Sequence, residues 1–251
     1  MSSQKSRHVL AIAAHPDDEV LGCGGTLARH AECGDQVSVI IACEGESLRY
    51  GAGAVNQCEH IQEAAKTLGV FRAYPLGFPD QKLDTINLVE LITPLEKVIR
   101  EVEPEVVYCQ FGGDANRDHH LLFQAALIAT RPIAEYPATM YAFETASSTE
   151  WSFPRAFVPD TWVDISSTLE RKLQAMACYK SELREYPHPR SLESLRHRAA
   201  YWGSQVCVPA AEVFATVRRV VRNSGSDFLW SYSMPLQLRH SNTSRLPYKP
   251  I

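Results

Sequence analysis

Chemistry is densest at His15-Pro16-Asp17-Asp18-Glu19, where a histidine and two adjacent aspartates fall within four residues. Imidazole and carboxylate oxygen together suit a borderline divalent cation, and a carboxylate left over can act as a base. A second dense stretch is Gly112-Gly113-Asp114-Ala115-Asn116-Arg117-Asp118-His119-His120. His15 and Asp18 plus one histidine of this second stretch would make a three-ligand metal shell with a fourth position open to water. Spacing alone does not distinguish His119 from His120. An isolated Asp-Asp pair before a helix has a second reading, as an N-cap pair on the helix dipole. The histidine three residues before Asp18, together with the second cluster, favours the metal reading.

The elements around both stretches follow one rhythm. The apolar run over 8–14 predicts a strand, followed by the first dense turn and a helix that runs to Gly34. A second strand is expected over 36–42, a helix over 55–68, a third strand over 73–78, an amphipathic helix over 87–102 and a fourth strand over 106–109. The second dense turn then leads into a helix over 121–129. Strand, polar turn, helix, repeated, is the pattern of an open α/β sheet, whose ligands bind beyond the carboxyl ends of the strands. Right-handed winding can make the first and fourth strands neighbours, so the two dense turns would meet. After Pro132 the rhythm weakens. Short strands are expected at 140–144 and 162–165, helices at 169–183 and 192–202, and a mixed apolar and charged segment at 211–221. One domain is expected, with a core over about 8–135 and a C-terminal elaboration over about 136–251. Gly22, Gly24 and Gly25 allow close approach, either of a ligand or of helix to sheet.

Groups for binding a substrate lie at the same sheet edge. Arg49 follows the second strand and Asp80 and Asp84 the third. Asp114 either binds a hydroxyl or shapes its turn, and Glu144 and Arg190 come from the later half. Trp151 is read as packing in the core or at a rim in preference to stacking on a sugar.

The 251 residues carry a formal net charge of -4, with no basic patch, which argues against nucleic acid and anionic membrane as partners. No apolar run approaches a membrane span. Seven cysteines at irregular spacing, with no CxxC, read as reduced thiols in a cytoplasmic protein.

Ala14-His15-Pro16-Asp17-Asp18-Glu19 resembles the signature of the PIG-L, or LmbE-like, metal-dependent N-deacetylases, and Asn116-Arg117-Asp118-His119 resembles their second ligand motif. Ser147-Ser148-Thr149-Glu150-Trp151 and Pro187-His188-Pro189-Arg190-Ser191 look like a bacterial branch of that family. The resemblance implies a Rossmann-like three-layer sandwich with a mostly parallel sheet. It implies zinc or another divalent metal on His15, Asp18 and His119, with Asp17 as general base. It also implies removal of acetyl from an N-acetylglucosamine-type amino sugar by activated water, and leaves a homo-oligomer open. Many members carry a histidine where this chain has Asn116; an asparagine amide can donate a hydrogen bond but cannot act as a charged acid. His188 is the candidate for the acid role. Two other readings stand beside this one. One is deacylation of a non-sugar N-acyl amine or of an antibiotic or cofactor intermediate. The other is a non-catalytic sugar- or nucleotide-binding module, which the missing GxGxxG turn and the retained Asp17 argue against.

Overall fold

A computed structural model describes residues 6–47, 56–133 and 137–221. Parallel strands β1 (His8–Ala13), β2 (Gln36–Cys43), β3 (Arg72–Phe78), β4 (Val106–Gln110) and β5 (Thr139–Phe143) alternate with helices. The helices are α1 (Asp18–Glu32), α2 (Gln57–Leu68), α3 (Leu88–Val102) and α4 (Arg117–Ala129). The chain continues through β6 (Thr161–Asp164), α5 (Leu169–Cys178), α6 (Leu192–Ser204) and β7 (Ala211–Arg219). The sheet order is β3-β2-β1-β4-β5-β7-β6, with β7 antiparallel to both its neighbours.

Strand periodicity explains the three layers. Val9, Ala11 and Ala13 point into a core shared with α1, α2 and α5, while Leu10 and Ile12 point into one shared with α3 and α4. A strand buried on both faces is a continuous apolar run, as β1 and β2 are. The mostly parallel, three-layer α/β architecture expected from the sequence is therefore present.

The register Val9↔Val106 through Ile12↔Cys109 makes β1 and β4 neighbours, so their carboxyl ends lie side by side. Gln110, fully buried, accepts from Ala14 N at 3.0 Å and ties the two ends together.

Three expectations shift. The helix after β4 begins at Arg117 rather than 121, because the Asn116 side chain caps it by accepting from Asp118 N at 2.9 Å. The helix from 169 stops at Cys178 rather than 183: Tyr179 leaves helical geometry and buries its ring completely. The mixed segment after 211 is a strand, with Ala211 to Phe214 buried. Gly22 and Gly25 serve packing: a Cβ on Gly22 would lie 2.0 Å from the Phe143 ring, and one on Gly25 would lie 2.8 Å from Ile165. No helix among the described residues is long and apolar enough to cross a membrane.

Candidate metal centre

The turn after β1 is built locally. Asp18 N donates to His15 O at 3.2 Å, and Asp18 Oδ2 accepts from His15 N at 2.9 Å, folding both side chains to one side. The turn after β4 brings His119 against them from the first turn of α4. Three atoms converge: His15 Nδ1 to Asp18 Oδ2 is 3.2 Å, His15 Nδ1 to His119 Nε2 is 3.2 Å, and His119 Nε2 to Asp18 Oδ2 is 3.1 Å. All three residues are at most 4% exposed.

The donor set decides what fits. Each histidine places its other ring nitrogen on a carboxylate, His119 Nδ1 on Asp114 at 2.6 Å and His15 Nε2 on Asp118 at 3.1 Å. Those carboxylates can each hold one ring proton, so a cation that displaces the other proton would meet both remaining nitrogens and the Asp18 oxygen together. Such second partners are what orient metal-ligating histidines. Bonds of about 2.0–2.1 Å to a tetrahedral ion separate ligand atoms by roughly 3.3 Å, close to the spacing found. His15, Asp18 and His119 thus form a group able to hold a metal ion. A second such group among the described residues pairs the other face of His15 with Cys43 and Asp118. Without a metal, burial pushes the Cys43 thiol up to about 11, and it donates to the same Asp118 oxygen that meets His15.

Charge separates the two aspartates. Burial opposes ionisation of Asp18, yet His119 and His15 hold its carboxyl well below the usual range. Burial, and then the charge of Asp18, push Asp17 well above that range, with Arg190 working against both. Burial also opposes charge on His119, but Asp18 and Asp114 carry it up to about 9. Asp17 has a left-handed backbone, φ 110, uncommon outside glycine. Its N–H donates to Glu19 at 3.3 Å, and the other Glu19 oxygen accepts from the buried Tyr179 hydroxyl at 2.6 Å.

A cavity of about 160 Å³ opens over the triangle, lined also by Asp17, Asn116, Ser147, Trp151, His188 and Arg190. Arg190 donates to Glu182 at 2.7 Å and to Asp17 at 3.4 Å. His188 Nδ1 accepts from Arg190 N at 3.1 Å, so the proton of its neutral ring sits on Nε2. Burial and the charges of Arg190 and Arg184 lower its pKa and keep it neutral.

The remaining candidates spread outward. Asp114 stands behind His119, away from any substrate, and its Oδ1 also accepts from Asn116 N at 2.8 Å. Asp80 is buried 3.5 Å behind His15. Asp84 is exposed on a single helical turn, and Glu144 lines a neighbouring cavity instead. Arg49 lies outside the described residues. His120 bonds the Asp114 carbonyl, turned away from the triangle. Trp151 sits at the cavity rim, 59% exposed. Sequence reasoning passed over Gln81, whose amide lies between Asn116 and His15, and Glu182, which anchors Arg190. It also passed over Thr145 and Ala146, although their place at the carboxyl end of β5 was a signal for them.

Residues 10–130, which carry both dense turns, match the family described as PIG-L, GlcNAc-PI de-N-acetylase. The chain is 33% identical over 161 residues to the uncharacterised deacetylase YaiS of Escherichia coli, covering 62% of this chain and 83% of that protein. It is 27% identical over 213 residues to the diacetylchitobiose deacetylase of Thermococcus kodakarensis, covering 78% of each. Among solved structures, GalB, the 4-carboxy-2-hydroxymuconate hydratase of Pseudomonas putida KT2440, aligns at 26% identity with a TM-score of 0.65, over 88% of this chain and 99% of that one. The strands, the two dense turns and these likenesses lead to one assignment: the chain belongs to the PIG-L family.

Proposed function

We propose that the protein is a divalent-metal-dependent N-deacetylase, with zinc as its metal, acting on an N-acetylglucosamine-type amino sugar or its conjugate. The observation that carries this reading is the 3.1–3.2 Å triangle of His15, Asp18 and His119 with Asp17 beside it on the cavity wall. A divalent cation held there supplies Lewis acidity, acidifying water and polarising an amide carbonyl.

The chain's own groups do the rest. Asp17, with affinity for a proton raised by burial, takes one from the attacking water and returns it to the leaving amine. Arg190, 3.4 Å away, opposes that rise and favours the ionised carboxylate that can accept the proton. His188 acts as a neutral donor: its Nε2–H stabilises the oxygen that becomes negative as the acyl carbon turns tetrahedral. That is the role open where Asn116 replaces a histidine, since the Asn116 amide is engaged with Asp118 N and Gln81. No covalent intermediate is needed; water and amide give acetate and a free amine.

The likeness to a hydratase supports a second reading, in which the same water-activating group adds water to a carbon–carbon double bond. Acetate release separates the two. The test is metal content of protein purified without chelator, paired with acetate release from N-acetylglucosamine and N,N′-diacetylchitobiose. About one metal per chain with acetate release is expected; metal without acetate from any N-acetyl substrate overturns the deacetylase reading.

A further inference from the structure

Next to the metal cavity lies a larger one, of about 630 Å³. Both open on the carboxyl edge of the sheet, the first where β1 and β4 end and the second where β5 ends at Glu144. The partition between them faces both ways: His188 and Arg190 line the smaller cavity, Pro187 and Pro189 the larger. Ligand pockets usually enclose roughly 300–1,000 Å³, a range that the second cavity reaches and the first does not.

Its lining combines flat rings with fixed polar edges. Tyr186 and Tyr201 are 55% and 59% exposed, and the Trp202 ring lies 5.0 Å from that of Tyr201. Glu144 accepts from Trp202 Nε1 at 2.6 Å and from Arg198 at 2.8 Å, and Arg198 also holds Glu150 at 2.6 Å. Aromatic faces receive the C–H face of a pyranose, while carboxylate and guanidinium edges receive its hydroxyls. Each carboxylate oxygen keeps acceptor capacity beyond the bonds it already makes. These edges are locked before a ligand arrives, so binding orders little.

We infer that this cavity is a second sugar-binding site, which holds a pyranose ring not itself hydrolysed. Two sources supply such a ring: the second unit of the substrate, reached over the Trp151–His188 rim, or a separate glycan. Assignment to the substrate rests on the deacetylase reading; sugar binding at the cavity does not.

The test is calorimetric titration of the turnover-deficient Asp17→Asn protein with N,N′-diacetylchitobiose and with cellobiose, repeated with Tyr201→Ala added. Saturable disaccharide binding is expected, weakened at least tenfold by Tyr201→Ala. Tyr186→Ala, on the other wall segment, should repeat the loss. In otherwise unaltered protein, a substrate-borne ring makes Tyr201→Ala raise KM for the disaccharide at least tenfold more than for N-acetylglucosamine. A separate glycan makes cellobiose binding fall while the two KM values move together. The absence of saturable disaccharide binding, or binding that both variants leave intact, overturns the site. So does a Tyr201→Ala protein that retains sugar affinity while losing self-association, which marks the cavity as a contact between copies. Failure of acetate release leaves the titration decisive by itself.

Discussion

Asp17 and Asp18 are adjacent in sequence and opposite in electrostatics. Two imidazoles hold Asp18 ionised, whereas Asp17 meets the cavity in a setting that favours a proton. Asp17→Asn should therefore retain metal, measured by atomic absorption, and lose roughly 10³-fold in kcat. His119→Ala should lose the metal while His120→Ala keeps it, because the His120 ring bonds the Asp114 carbonyl and is turned away from the triangle. Asp114→Asn should weaken metal affinity by about 10–100-fold with its fold intact, since it removes the charged partner of His119 Nδ1. The group able to hold a metal was legible in the sequence because its residues sit within two short turns whose residue types admit few other uses. The part played by Asp114 was not, because an aspartate in a glycine-rich turn reads equally as a hydroxyl ligand or a turn former. Only the direction of its carboxylate, 2.6 Å from an imidazole, decides.

At the scale of elements, α1 carries the burden. Its first residue, Asp18, belongs to the group able to hold a metal ion, the residue before it is the proposed base, and its glycine face lies on Phe143 and Ile165. Gly22→Ala should destabilise the protein by roughly 1–3 kcal/mol in urea unfolding, through overpacking, because the Phe143 ring is fully buried and has nowhere to yield. Tyr179→Phe removes a single hydroxyl from behind Glu19 and keeps the ring. We expect about a tenfold lower kcat with KM and metal content little changed, since Glu19 steadies the Asp17 backbone. The alternation of strand and helix through α4 could be read from apolar runs buried on both faces. The early stop of α5 could not, because the apolar spacing over 169–183 continues past the point where Tyr179 turns inward to reach Glu19 across 160 residues of sequence.

For the whole molecule, one source of acid sensitivity lies at the end of the sheet away from the candidate metal centre. Burial opposes charge on Asp35, but hydrogen bonds from Arg7 and His30 bring its pKa below the usual carboxylate value. A lowered folded pKa contributes stability in full above the unfolded value of about 4, and that stability is lost as pH falls through the folded value. Asp35→Asn should lower Tm at neutral pH and flatten its fall below about pH 4, followed by thermal melts across pH. The late strand β7 bears on the same question of what holds the halves together. Its Glu212 carboxylate, paired with the buried Lys172 at 2.6 Å, accepts from Gly25 N at 2.9 Å and Thr26 N at 2.7 Å in the middle of α1. Protection of those two amides from deuterium exchange thus depends on a strand nearly 190 residues downstream as well as on their own helix. They form a built-in reporter of undocking: if β7 lifts from the sheet before the rest unfolds, Gly25 and Thr26 exchange early while Val20 and Leu27 stay dark.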